Sequence, residues 1–144
     1  MPAKILRFFG LSRSEQLLFL KAYFLVLFYS TYVVFVPKRL IFKRLGEKGI
    51  ESEYQPDKSS LTEIQKVEKA VRRAIRCLPW RSKCFSRAIA AKRILKQKRI
   101  PSTIYLGVAK EDDKVIAHAW LRAGNIIVTG REEMKKFNPV LFYT

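Results

Sequence analysis

Apolar and polar positions divide the chain into three stretches of different pattern. Leu17 to Val36 is almost continuously apolar, broken only by Lys21, Ser30 and Thr31. As a helix at about 1.5 Å per residue, twenty such residues cover about 30 Å, the thickness of a bilayer core. A cleavable signal peptide has a shorter apolar stretch and a small-residue cleavage site, and neither is present. The run fits a membrane span, an in-plane interfacial helix, or a helix packed against the rest of the domain or a partner. Basic residues flank it on both sides: Lys4, Arg7 and Arg13 before, Lys38, Arg39, Lys43 and Arg44 after. That symmetry carries no orientation signal and suits an in-plane helix on anionic lipid.

Gly46 to Ser60 is polar and charged and contains Pro56, which predicts a linker. The expected organisation is an N-terminal apolar helical region over 1–60 and a compact domain over 61–144. Ser60-Leu-Thr-Glu63 fits a capping box, opening a helix to about Arg76 with Ile64, Val67, Val71 and Ile75 on one face. Pro79 breaks the pattern. Ser82 is the expected N-cap of a second helix, with Phe85, Ala88, Ile89 and Leu95 inward, ending near Lys98. Extended segments follow at Ser102–Lys110, Val115–Arg122 and Ile126–Thr129. Their expected turns lie at Glu111–Lys114 and Ala123-Gly124-Asn125. Helices first and an antiparallel sheet second give an α+β domain.

Composition narrows the class. At 144 residues, 49% hydrophobic, with six Gly and six Pro, the chain suits one folded domain with a core. The formal charge of +17 calls for an acidic partner, either a nucleic acid, an anionic membrane face or an acidic peptide. No recognisable nucleic-acid module or basic-aromatic sheet face is present, so nucleic acid is not expected. Lys92, Arg93 and Lys96 cluster late in the second helix. They read as solvated charge or as a docking patch for an acidic leader or its carrier. Two cysteines and one histidine form neither a disulfide framework nor a zinc site, and a reducing cytoplasmic setting is the simplest reading.

Cys84 falls on the first turn of the second predicted helix. Free N–H groups and the positive end of the dipole favour a thiolate there, and Arg81, Lys83 and Arg87 add to the field. The same N–H groups suit an oxyanion. His118 lies on the Val115–Arg122 strand between two alanines. Singly, such a cysteine is more often a small buried hydrophobe, and such a histidine an ordinary strand residue. Together, on a helix start and a later strand, they form a candidate nucleophile and base. Cys77, at a helix C-terminus where the dipole opposes a thiolate, reads as structural.

Four blocks then follow at fixed spacing: Trp80-Arg-Ser-Lys-Cys84-Phe-Ser-Arg-Ala88, Ile94 to Pro101, Ile104-Tyr-Leu-Gly-Val108, and Ala117-His-Ala-Trp120. Over roughly Leu61 to Gly130 the chain strongly resembles the lasso-peptide leader peptidases, microcin-processing members of the transglutaminase-like superfamily. The apolar N-terminal run also looks like that family's helical leader region. The resemblance implies a papain-like fold, with Cys84 as nucleophile, His118 as base and no cofactor. It implies hydrolysis between leader and core of a ribosomal precursor peptide. It also implies two partner proteins: a small leader-binding protein and an ATP-dependent, asparagine-synthetase-like macrolactam cyclase.

That family usually places an acid about a dozen positions after the histidine. With the turn centred on Ala123-Gly124, Thr129 falls opposite His118; a one-residue shift brings Arg131 there, and Gly130 lies between. Asn125 would echo the Cys-His-Asn set of papain, but from a turn too distant along the strand. Glu132 and Glu133 come near only through a bulge. The expectation is a Cys84–His118 dyad with its orienting group open, Thr129 and Asn125 being the uncertain third members. A non-catalytic peptide-binding scaffold and a basic membrane- or nucleic-acid-associated protein are the competing readings.

Overall fold

The computed structural model describes residues 2–144. The apolar run is the core of helix α2 (Arg13–Phe35), which follows a short α1 (Pro2–Phe9). Its start is a full capping box: the Ser12 side chain accepts from the Glu15 N–H and the Glu15 carboxylate accepts from the Ser12 N–H. Its end is set by Pro37, since the residue before a proline is pushed out of helical conformation, and Val36 is extended. Ala22 and Val26 are buried on one side, so α2 is neither a solvent-bathed rod nor a helix enclosed all round. It packs on α4 (Lys58–Cys77) and α5 (Cys84–Gln97), with α3 (Lys38–Lys43) between it and the polar stretch.

Helix α4 is strongly amphipathic and buries Ile64, Val67, Ala70, Val71 and Ala74. It starts before the expected capping box, at Lys58 with Asp57 as N-cap. Glu63 instead bonds Lys66 and Lys98, at 2.9 and 2.8 Å. Ser82 is not the cap of α5 either. Lys83 holds that place without a side-chain bond, and the Ser82 hydroxyl accepts from Arg87 Nε at 2.8 Å. Cys77, the last residue of α4, is exposed and has no packing role.

Four antiparallel strands form one sheet in the order β3-β2-β1-β4: β1 (Thr103–Glu111), β2 (Lys114–Ala123), β3 (Ile126–Thr129) and β4 (Asn138–Tyr143). The β1–β2 turn holds Asp112 and Asp113 at φ 46° and 62°, a conformation short polar side chains tolerate. Two-residue alternation gives the sheet two different faces. Ile104, Leu121 and Ala123 join the core under α4 and α5. Tyr105 and Trp120, stacked at 5.5 Å, build a second cluster with Phe137 on the other face. Gly107 is required there, because a Cβ would fall 2.7 Å from the Trp120 ring.

The stretch 46–57 is no free linker. Glu47 and Thr144 exchange backbone hydrogen bonds of 2.9 and 3.0 Å, and Gly49 donates to Phe142, so this stretch runs along β4. It then crosses to buried Arg122 on the second face. That guanidinium donates to the carbonyls of Ser52 (2.8 Å) and Gly124 and to the Tyr105 hydroxyl (3.0 Å), while Tyr54 covers it at 3.7 Å. Ala22, Ile41 and Leu45 from one side of position 60 share a single core with the residues that follow it.

Removing Arg122 strands several buried acceptors at once. Arg122→Met should cost about 2–3 kcal/mol in chemical denaturation and speed hydrogen exchange over 49–57. Arg122→Lys should not restore either, because one ammonium cannot span acceptors that a planar fork reaches.

Candidate active site

Cys84 lies on the first turn of α5 as expected, and is its first residue because Lys83, not Ser82, is the cap; its side chain is half-buried. His118 lies midway along β2, paired with Gly107, and is 6% exposed. Both line one open cleft of about 900 Å³ between the N-terminus of α5 and the sheet. By alternation His118 shares its face with Trp120 and Arg122, away from the helices. The imidazole lies 6.0 Å from the Trp120 ring and 5.0 Å from that of Phe137. No hydrogen bond joins Cys84 and His118 in the structure: the thiol is at the helix side of the sheet and the ring packs on the Trp120–Phe137 side. β3 pairs with β2 only from Leu121 to Ala123. Below that point the border of β2 is left to the loop Gly130–Glu133, which also lines the cleft.

The two ring nitrogens have different surroundings. Nε2 is 3.1 Å from the Gly130 carbonyl oxygen. A carbonyl only accepts, so Nε2 carries the hydrogen and Nδ1 is the basic nitrogen of the neutral ring. The Glu133 carboxylate stands 3.7 Å from Nδ1 on an exposed side chain. Gly130 is held at φ 78°, and a Cβ there would come within 2.9 Å of Nε2 and 2.8 Å of the Ala119 carbonyl oxygen. Glycine is thus needed twice, for the turn and for the close approach.

The expected third members are not the imidazole's partners. The β2–β3 turn is centred on Gly124-Asn125, and a bulge follows between Leu121 and Arg122, so Thr129 pairs with Leu121 and not with His118. Its hydroxyl is buried without a hydrogen-bond partner. Asn125 is exposed in the turn. The main-chain oxygen of Gly130, twelve residues after the histidine, bonds the ring instead. A search of side chains misses it. The readable signal was a glycine directly after a strand.

Arg87 connects the sides of the cleft electrostatically. Burial holds its guanidinium below the ordinary value; the nearby Cys84 side chain acts in the other direction, Arg81 adds to the lowering, and Glu133 and Glu132 oppose it. The lining as a whole is basic. Lys38, Arg72, Arg76, Arg81, Lys83, Arg87 and Arg131 face only Glu68, Glu132 and Glu133, and Glu68 is already paired to Arg72 at 3.1 Å. Lys92 of the expected docking patch is tied into the fold, its ammonium donating to the Ser102 carbonyl at 2.7 Å. Arg93 and Lys96 are exposed.

Burial, then neighbouring Lys96, lowers Lys92 from 10.5 to about 8. Between those values the unfolded chain binds a proton that the folded chain does not, so folding gains stability as pH rises. Measured against Lys92→Met, which lacks the group, wild-type stability should rise by on the order of 2 kcal/mol across that window. Parallel curves would contradict the burial of this ammonium.

No curated protein and no solved structure matches the chain. A family model, described as the transglutaminase-like superfamily, matches residues 32–142 and so takes in the end of α2, α3, α4, α5 and most of the sheet. Helices followed by a four-stranded antiparallel sheet are the expected architecture, and the match covers well over half of the sequence. The chain therefore belongs to the transglutaminase-like superfamily.

Proposed function

We propose that the protein is a cysteine peptidase that removes the leader from a ribosomally made lasso-peptide precursor. The observation that carries this reading is that Cys84 at the start of α5 and His118 on β2 line one cleft, with the imidazole held by the Gly130 carbonyl on the sheet face away from α5. For His118 Nδ1 to take the Cys84 proton, the imidazole has to turn from Glu133 toward the start of α5. The thiolate attacks the carbonyl at the leader–core junction, forming an S–C bond, and free N–H groups of the first turn of α5 face the developing oxyanion. The C–N bond then breaks and the imidazolium gives its proton to the leaving amine. Water, deprotonated by the same nitrogen, attacks the thioester carbonyl; the S–C bond breaks, the leader leaves as a carboxylic acid and the imidazolium returns its proton to the Cys84 sulfur. No cofactor takes part.

The basic lining supports an acidic peptide as substrate. The partially open cleft leaves room for a leader-binding protein to present it, and a cyclase using ATP would act on the released core. The two unpaired cysteines support a reducing, cytoplasmic setting for this activity.

One observation favours a second reading, a non-catalytic peptide-binding scaffold. The Glu133 carboxylate stands at Nδ1, the nitrogen that base catalysis requires. Thiol chemistry separates the two. Cys77 is exposed and Cys84 half-buried, so accessibility alone makes Cys77 the faster thiol toward iodoacetamide at neutral pH. The peptidase reading expects Cys84 to react first, and slower labelling of Cys84 supports the scaffold.

With the cognate precursor, Cys84→Ala should lower the cleavage rate by at least about 10³-fold while circular dichroism stays unchanged. Retained cleavage ends the peptidase reading. Gly130→Ala should cost about 10²-fold in kcat, because the imidazole must move, and should leave binding of the precursor nearly intact.

A further inference from the structure

We infer that the outer face of α2 docks in the plane of an anionic phospholipid membrane. Leu17, Leu20, Phe24, Phe28, Thr31 and Phe35 follow one another at intervals of three and four residues, and all are exposed. At 3.6 residues per turn they lie within about 80° of arc, along about 27 Å of helix. Buried Ala22 and Val26 fall on the opposite side, toward α4 and α5. Phe24, Phe28 and Phe35 are 61%, 57% and 80% exposed. No charged residue interrupts the stripe.

A crossing geometry does not fit. The inner side of α2 is packed on α4, whose outer surface carries Lys66, Lys69, Arg72 and Arg73, and a bilayer core would have to take these in with it. An in-plane helix keeps them in water and sinks only the stripe.

Charge selects the occupant. Residues 1–44 hold eight Lys and Arg (Lys4, Arg7, Arg13, Lys21, Lys38, Arg39, Lys43, Arg44) and a single acid, Glu15, which gives +8 − 1 = +7. Glu15 is occupied by Ser12 and lies 3.7 Å from Arg73. A second copy would bring the same cationic segment onto this face and meet repulsion. An anionic headgroup layer meets attraction, with Arg13 and Lys21 beside the stripe and Lys38 and Arg39 beyond its end.

Sedimentation of the full chain with vesicles tests this. Binding is expected to vesicles of three parts phosphatidylcholine to one of phosphatidylglycerol, at least tenfold tighter than to pure phosphatidylcholine, and weaker in 0.5 M salt. The double variant Phe24→Ser, Phe28→Ser should bind at least tenfold less while keeping its circular dichroism and thermal midpoint. Equal binding to both vesicles, or undiminished binding by the variant, overturns the proposal. So does a lipid-free dimer that the double variant abolishes, which would assign the stripe to a second copy. Should that variant misfold, Lys21→Glu with Arg39→Glu gives the independent reading: loss of the preference for phosphatidylglycerol supports the proposal and its persistence refutes it.

Discussion

The two-residue alternation of β2 is the constraint on which the rest depends. One strand must supply apolar residues to the helices and an imidazole, an indole and a guanidinium to the other side. Ala119, Leu121 and Ala123 are buried toward α5, where Ala88, Ala90 and Ala91 are also fully enclosed, so helix and sheet approach closely. The residues in between, His118, Trp120 and Arg122, have no choice of face. A one-residue slip would exchange the two sets and put an imidazole and a guanidinium into an apolar core. The register is therefore fixed by burial, and the position of His118 is fixed with it.

Much of this was legible in the order of residues. Most inward positions of α4, the placing of Cys84 on the first turn of α5 and the three strands through Thr129 follow from periodicity and turn chemistry. Strand β4 was not anticipated, although Pro139-Val-Leu-Phe-Tyr143 has strand composition. A short run after charged residues has no local marker, and its partner β1 lies about 35 positions back. The stretch 46–57 resembled a linker because its anchors are main-chain bonds and one distant arginine, which no pattern in the stretch itself records.

The surroundings of the imidazole were legible only in part, for a different reason. Pairing residues across a hairpin needs the turn placed to one residue. Here Gly124-Asn125 holds it one place later than expected, and a bulge adds another offset. Two small shifts remove Thr129 from His118 and bring the loop after it alongside the ring. Local patterns predict elements well, but the contents of a site depend on the sum of such offsets.

The group that steadies the imidazole belongs to the peptide backbone, and this changes how the site answers to mutation. A carboxylate or amide in that role can be erased by trimming a side chain, whereas the oxygen of residue 130 survives every substitution made there. Alanine scanning of side chains will thus pass over the partner that Gly130 supplies to the ring. That partner will show itself only as intolerance of any side chain larger than hydrogen at one bend of the chain.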